Sequence, residues 1–162
     1  MEYRDLYNEQ KILTGEIIEK NGIVPHGRYY ITVVVFIENS KGEILLQKRS
    51  VEKGGQWATT GGHPKSGETS VQGICTEIQE ELGFVVQNQE VVLFGTRKTE
   101  DDFVDLYYLK KDIAISTVKI QEEEVQDVKW FSKNEINKMI KNKTFFKWHI
   151  DFYNDFLNYI DK

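Results

Sequence analysis

Three glutamates, Glu77, Glu80 and Glu81, lie at helical spacing in the segment TEIQEEL. At about 100° per residue, a helix places their carboxylates together on one face. A fourth glutamate, Glu68, follows a glycine-rich loop that begins near Gly62. Clustered carboxylates repel one another and destabilise a helix, whereas hard divalent cations such as Mg²⁺ or Mn²⁺ take oxygen ligands of this kind. The pattern therefore fits either a metal cage or a solvated acidic face.

A helix over residues 70–82 is needed to position these carboxylates. Thr69 and Gln72 have the spacing of an N-terminal capping box, and Gly83 stands where the chain must turn left-handed to end the helix. Gly73 costs about 1 kcal/mol relative to alanine in a helix, which predicts a close approach by another element. Apolar side chains at helical period predict the buried face: Val71, Ile74, Cys75, Ile78 and Leu82.

The remaining segments predict one domain over residues 1–162, an α/β or α+β fold in which helices pack on a mixed sheet. Residues 3–20 have the pattern of a strand pair. Residues 27–37 are β-branched and aromatic, which predicts a buried central strand, and residues 44–50 predict its partner. The stretch 144–160 carries an apolar stripe and predicts a C-terminal helix that packs on the core.

Composition limits the partners of the chain. The net charge is −5 and no dense block of lysine and arginine occurs, so a nucleic-acid partner is not expected. Cys75 is the only cysteine, which fits a reducing cytosol. The N-terminus lacks the apolar region of a signal peptide, and no apolar run reaches the roughly 20 residues that span a bilayer. We expect a cytoplasmic protein without a membrane partner.

The segment from Gly62 to Phe84 resembles the signature of the MutT-like Nudix hydrolases, G-x5-E-x7-R-E-U-x-E-E-x-G-U, where U is a bulky apolar residue. Every specified position matches except the arginine, which is Thr76 here. The order of strands and helices around the motif also resembles this family. The resemblance implies a Nudix α/β/α sandwich in which Glu68 and Gly83 are structural positions of the motif.

The same resemblance implies a metal-dependent pyrophosphohydrolase, in which water attacks phosphorus in a diphosphate linked to another group. Glu77, Glu80 and Glu81 would be catalytic residues that bind Mg²⁺ or Mn²⁺. The general base varies within the family, and the candidates are these glutamates or one of residues 122–124, with Glu124 kept as a catalytic candidate. The expected partner is a small phosphorylated substrate such as a nucleoside diphosphate. Dimers are common in the family, so a homodimer is one expectation.

The segments NSKGEILLQKRS and GGHPKSGE resemble the branch related to isopentenyl diphosphate isomerase, which gives an alternative function in another class. Those isomerases carry a cysteine where Gly61 stands and a metal-binding histidine where Tyr30 stands. They also lose the helical glutamate cluster. Only His63 and a Glu122/Glu124 pair match their metal ligands. The missing thiol and the retained glutamates favour the hydrolase.

Four residues near the motif are candidates for substrate binding. Lys48 and Arg49 end a predicted strand and could contact phosphate, although a solvent-facing strand end explains them equally well. Gly62 and His63 lie in the loop, where His63 either orients phosphate or folds the loop beside the following proline. Two further histidines lack matching partners nearby in sequence and are predicted to be structural: His26 and His149.

Thr76 leaves the motif without its positive charge. In the family, the arginine pairs with a glutamate and fixes it, and an arginine–carboxylate pair is bidentate and directional. Glu77 could therefore be less fixed here. A bound cation would supply positive charge locally. A basic side chain from elsewhere, such as Arg97 or Lys129, is another replacement, and the remaining alternative is a chain that binds a nucleotide or diphosphate with little turnover.

Overall fold

Nine strands and three α-helices occur in residues 1–161, the part of the chain that the computed structural model describes. The strands are β1 Tyr3–Tyr7, β2 Leu13–Glu19, β3 Tyr30–Glu38, β4 Ile44–Arg49, β5 Trp57–Ala58, β6 Thr60–Gly62, β7 Val92–Lys98, β8 Asp102–Lys110 and β9 Val125–Phe131. The helices are α1 Ser70–Leu82, α2 Lys133–Lys141 and α3 Ile150–Ile160. None of these helices is long and apolar enough to cross a membrane.

β3 lies in the middle of a mixed sheet. It pairs in parallel with β8, from Tyr30 opposite Asp102 to Glu38 opposite Lys110. It pairs antiparallel with β4 and β6, while β5 and β9 pair with β4 and β7 pairs with β8. The parallel pair requires a crossover, and the chain makes it through α1. The central strand and the mixed sheet predicted from the sequence are confirmed.

Alternate side chains of β3 bring helices to both faces of the sheet. Val33 and Val35 pack in a cluster with the buried face of α1, whereas Val34 and Phe36 pack with α2 and α3. These four side chains are at most 1% exposed. Phe36 stacks on Phe156 of α3 with ring centroids 4.8 Å apart. The result is an α/β/α sandwich, and the predicted packing role of the C-terminal helix is confirmed.

The boundaries of α1 follow from local chemistry. Thr69 and Gln72 form the predicted capping box, and Gly83 ends the helix at φ 76°. A Cβ atom on Gly73 would lie 2.6 Å from Cγ of Pro64, so the helix needs glycine where the loop crosses it. The predicted close approach at Gly73 is confirmed.

The N-terminal hairpin, formed by β1 and β2, is a separate two-stranded sheet that packs beside the glycine-rich loop. Asp5 accepts hydrogen bonds from the Ser66 hydroxyl at 2.6 Å and from the Gly67 N–H at 3.0 Å. The backbone N–H of Ser66 donates to the Tyr3 carbonyl at 2.8 Å. These contacts hold the hairpin and the loop together.

Asp105 of β8 is a second anchor of the hairpin and has no exposed surface. It accepts a hydrogen bond at 2.6 Å from Lys11 in the hairpin turn. It also accepts from the hydroxyls of Ser70, at 2.5 Å, and Thr96, at 2.8 Å. One buried carboxylate thus joins the hairpin, two sheet strands and the first turn of α1.

Candidate active site

A cleft of about 760 Å³ lies among α1, the N-terminal hairpin, β4 and the segment before α3. Lys48 is outside its lining, because side chains alternate along β4 and the neighbouring Gln47 and Arg49 face the cleft. Seven of the residues predicted to act in catalysis or binding line this cleft: Glu77, Glu80, Glu81, Glu124, Arg49, His63 and Gly62.

Glu77 and Glu81 form a buried pair one helical turn apart. The protonated Glu77 carboxyl hydrogen-bonds to Glu81, which is only 7% exposed. Burial raises the pKa of both carboxyls, and the hydrogen bond and negative charge of Glu81 raise the pKa of Glu77 further. Two negative charges are therefore disfavoured at this position, where a bound cation could offset them.

Gln47 of β4 fixes the orientation of Glu81. Its Nε2 donates to Glu81 Oε1 at 2.6 Å, and its own Oε1 accepts from the Thr60 hydroxyl at 2.8 Å. All three side chains are buried. Gln47 was not predicted as a site residue, although a polar residue within an apolar strand that pairs on both sides indicates a buried polar contact.

Gly62 makes room for Glu77. A Cβ atom at position 62 would lie 2.3 Å from Cδ of Glu77, so only glycine allows the carboxylate to approach the loop. Gly61 is restricted from another direction, because its Cβ would lie 2.7 Å from the Val33 carbonyl oxygen. Gly62 thus leaves space for the carboxylate of Glu77, and Gly61 leaves space for the backbone of the central strand β3.

Glu80 differs from its two neighbours because it is turned towards Lys65, whose Nζ lies 3.0 Å from Glu80 Oε1. Within residues 1–161, no three acidic, histidine or cysteine side chains converge into a full set of metal ligands. The paired carboxylates of Glu77 and Glu81 nevertheless fit a hard cation in their donor chemistry, since Mg²⁺ commonly takes one or two carboxylates and completes its shell with phosphate and water.

Thr76 contacts the loop and leaves Glu77 untouched. Its hydroxyl donates to Glu68 Oε2 at 2.7 Å, and Glu68 Oε1 accepts from the backbone N–H of Lys65 at 2.8 Å. A neutral donor therefore ties the loop to the helix. Glu77 is positioned by Glu81 and Gly62 instead.

The suggested replacements for the motif arginine lie elsewhere. Arg97 forms a bidentate pair with Asp155 of α3, at 2.5 and 3.0 Å. Lys129 lies 3.8 Å from Asp127. The expectation that one of them substitutes for the arginine was wrong, and Lys65 pairs with Glu80 on the acidic face of α1.

The wall opposite α1 carries positive charge. Arg49, at the end of β4, lies over the ring of Phe146 at 3.8 Å from its centroid. Lys53 forms an ion pair with Glu124. Of the three acidic residues 122–124, Glu124 is the one that lines the cleft. This wall therefore combines a fixed guanidinium with a lysine–carboxylate pair.

His63 lines the cleft and also packs in the loop. Its Nδ1 lies 3.3 Å from the Thr32 hydroxyl, and its ring packs edge-on against Tyr30 with centroids 5.3 Å apart. Burial lowers its pKa to about 4, and the charge of Arg4 contributes to this shift. His63 is therefore neutral at pH 7.

Several residues of the lining that were not predicted as site residues come from the two ends of the chain. Arg4 and Lys20 come from the hairpin, and Phe146 and His149 come from the segment before α3. His149 had been assigned a structural role alone. Nothing local in the sequence marks them, because packing of the two chain ends onto the sheet brings them to the cleft.

Comparisons with known proteins agree with this geometry. A family model described as NUDIX domain matches residues 28–156. An uncharacterised Nudix hydrolase of Listeria monocytogenes is 34% identical over 148 residues, covering 86% of this chain and 85% of that protein. An isopentenyl-diphosphate Delta-isomerase of Halorhodospira halophila is 36% identical over 84 residues, covering 49% of this chain and 47% of that protein.

The fold is also similar to solved structures. The crystal structure of DR0079 from Deinococcus radiodurans superposes with a TM-score of 0.71 at 20% identity, covering 87% of this chain and 90% of that chain. At this identity the likeness concerns the fold alone. It confirms the predicted mixed sheet with helices on both faces.

Proposed function

The chain belongs to the Nudix family of hydrolases, enzymes that act on pyrophosphate bonds, and we propose that it cleaves a small organic pyrophosphate of the nucleoside diphosphate type. The proposed reaction depends on Mg²⁺ or Mn²⁺. The observation that carries the proposal is the buried Glu77–Glu81 pair in a cleft whose opposite wall is cationic. Such a pair is costly without a cation, and the opposite wall suits an anion.

Glu77 and Glu81 would hold the cation, and Glu80 would join them by leaving Lys65. The cation, when bound, neutralises phosphate charge and makes a bound water more acidic. The buried bond from Gln47 keeps Glu81 in place. Gly62 lets Glu77 approach without displacing the loop.

Arg49 and Lys53 would bind the oxygens of the diphosphate. The guanidinium of Arg49 is held by stacking on Phe146. Guanidinium groups match phosphate oxygens in two parallel hydrogen bonds. His63 is neutral, so it would contact the substrate as a hydrogen-bonding group.

Glu124 would act as the general base. Its carboxylate, paired with Lys53, would take a proton from water as the water oxygen bonds to phosphorus. The bond between that phosphorus and the bridging oxygen breaks, and the leaving phosphate takes the electron pair. Lys53 would then transfer its interaction from Glu124 to the developing negative charge.

Hydrolysis of a substrate panel tests this function. The purified protein is assayed with Mg²⁺ or Mn²⁺ against nucleoside diphosphates, nucleotide sugars, dinucleotides and isopentenyl diphosphate. We expect metal-dependent release of phosphate or nucleoside monophosphate that is lost in Glu81→Gln. The matched control is Glu90→Gln, which changes a surface glutamate paired with Lys111.

Two results would contradict the proposal. Isomer formation from isopentenyl diphosphate without phosphate release would make the chain an isomerase. Metal-dependent binding without any product would make it a binding domain. A cytoplasmic location and a homodimeric assembly remain further proposals, supported by composition and by family resemblance respectively.

A further inference from the structure

Arg4 of β1 extends into the cleft from outside the part of the chain that the NUDIX model matches. Its Nε is buried and has no hydrogen-bond partner within residues 1–161. Over the same residues, its guanidinium forms no ion pair. Buried donors in folded proteins nearly always have partners. An unpartnered guanidinium in the wall of a binding cleft therefore points to a ligand.

The guanidinium is held in place before any ligand arrives. It lies 5.1 Å from the centre of the Tyr30 ring, at the start of the central strand. The adjacent Asp5 anchors the same strand to Ser66 and Gly67 of the glycine-rich loop. A group fixed in this way loses little conformational freedom on binding, which favours affinity.

Lys20 extends the positive charge from Arg4 towards β4. It lines the cleft and, like Arg4, forms no ion pair in the described part of the chain. Burial lowers the pKa of His63, and the charges of Arg4 and Lys20 lower it further. Burial also lowers the pKa of Lys53, with added effects from Arg49 and Lys20. The charge of Lys20 therefore acts on both His63 in the loop and Lys53 after β4.

Glu2 lies beside Arg4 and Lys20 in the cleft lining, so its single carboxylate offsets at most one of these two unpaired cations. Lys53 and Lys65 already have carboxylate partners, namely Glu124 and Glu80. Glu77 and Glu81 lie on α1, where the proposed divalent cation would offset their charge. The N-terminal segment thus brings two cations and one carboxylate to the cleft, and the Nε of Arg4 has no hydrogen-bond partner within residues 1–161.

We propose that Arg4, assisted by Lys20, binds a phosphate oxyanion of the substrate, so that the N-terminal hairpin forms part of the active site. The proposal rests on the proposed function for the identity of the substrate. The free Nε and a terminal nitrogen of a guanidinium can donate two parallel hydrogen bonds to one phosphate. Arg4 would therefore help to select ligands that place a phosphate beside the hairpin.

Binding of inorganic pyrophosphate in metal-free buffer, measured by calorimetry, tests the subsite without depending on hydrolysis. We expect Arg4→Met to raise the Kd about tenfold or more, as for loss of a charge-assisted hydrogen bond. Arg4→Lys should retain more affinity than Arg4→Met. The matched control is Arg28→Met, which removes an arginine that pairs with Glu16 outside the cleft lining, and its Kd should match that of wild type.

Stability separates a ligand role from a structural one. Because Arg4 has no ion pair to lose, Arg4→Met should unfold at the same denaturant concentration as wild type. Pyrophosphate binding that is equal in Arg4→Met and wild type, or absent from wild type, would overturn the inference. If Arg4-dependent binding is found but no substrate is hydrolysed, the subsite stands and the proposed catalytic function fails.

With an active substrate, the kinetic constants give a second readout. Arg4→Met should raise KM about tenfold while kcat stays within about threefold, since Arg4 would bind the phosphate in the ground state and the transition state alike and transfers no proton. A fall of about tenfold in kcat with an unchanged KM would contradict a binding role.

Discussion

The Thr76 hydroxyl donates a hydrogen bond to Glu68 at 2.7 Å and so closes the glycine-rich loop onto α1. Glu68 also accepts from the backbone N–H of Lys65 at 2.8 Å, which fixes both of its oxygens. The contact is neutral on the helix side, so it contributes no positive charge to the acidic face. Thr76 therefore acts on the position of the loop and not on the charge of the site.

Thr76→Val should destabilise the protein without abolishing the site. The change removes a hydrogen bond to a partly buried carboxylate, and we expect the free energy of unfolding to fall by about 1–2 kcal/mol. Urea denaturation measures the difference. Thr76→Ser keeps the hydroxyl, so its free energy of unfolding should fall much less than that of Thr76→Val. A valine variant as stable as wild type would show that the bond to Glu68 contributes nothing.

Gly62→Ala should weaken metal binding while preserving the fold. The added Cβ meets the carboxylate of Glu77, which is the movable end of a side chain, so the free energy of unfolding should change by less than about 1 kcal/mol. Displacing Glu77 from Glu81 should weaken Mn²⁺ binding about tenfold or more. Calorimetric titration with Mn²⁺ provides the measurement.

The control for Gly62→Ala is Gly95→Ala in β7. Its Cβ would lie 3.8 Å from Leu106, which is an ordinary contact. We expect Gly95→Ala to bind Mn²⁺ as wild type does. Equal affinity in all three proteins would mean that the position of Glu77 does not matter for the metal.

Gly61→Cys should not produce an isomerase. The new Cβ would lie 2.7 Å from the Val33 carbonyl oxygen, and backbone atoms of the central strand cannot move cheaply. We expect a loss of about 1–3 kcal/mol in unfolding free energy. NMR of the reaction with isopentenyl diphosphate should show no allylic isomer. Gly61→Ala should be destabilised to a similar extent, because the cost comes from Cβ and not from the thiol.

His149 should make stability depend on pH. Burial lowers its pKa to about 3, assisted by the charge of Arg49, and its Nδ1 is buried without a partner. The unfolded imidazole takes up a proton near pH 6.5, so the unfolded state binds more protons between pH 6.5 and 3. The stability due to neutral His149 is complete above pH 6.5 and is lost as pH falls towards 3.

His149→Phe keeps a ring and removes this titration. Between pH 6.5 and 4.5, wild type should lose about 2 kcal/mol more unfolding free energy than the variant. Guanidinium denaturation at several pH values measures how the free energy of unfolding depends on pH in wild type and in the variant. Parallel slopes would contradict a depressed pKa at His149.

The carboxylate pair could be predicted because its geometry is local. The spacing of Glu77 and Glu81, the capping box and Gly83 define one helix, and helical period places both acids on one face. The structure adds that Glu80 is turned away to Lys65, which depends on a side-chain position that spacing does not specify.

The rest of the cleft depends on contacts between distant parts of the chain. Arg4 and His149 reach it only after the hairpin and the C-terminal segment pack on the sheet. Lys48 and Arg49 were equivalent in the sequence, and strand alternation places only Arg49 in the cleft. The proposed substitution of the motif arginine by Arg97 failed because Asp155 of α3 takes that side chain instead.

Asp105 has a further consequence for the motions of the molecule. It holds the hairpin through Lys11 and the first turn of α1 through Ser70. The segment carrying Arg4 and the helix carrying Glu77 therefore share one anchor, and we expect them to open as one cooperative unit in amide hydrogen exchange. A ligand that contacts both Arg4 and Glu77 would slow amide exchange in β1 and in α1 together. Slower exchange in β1 would therefore also indicate that a ligand is bound at α1.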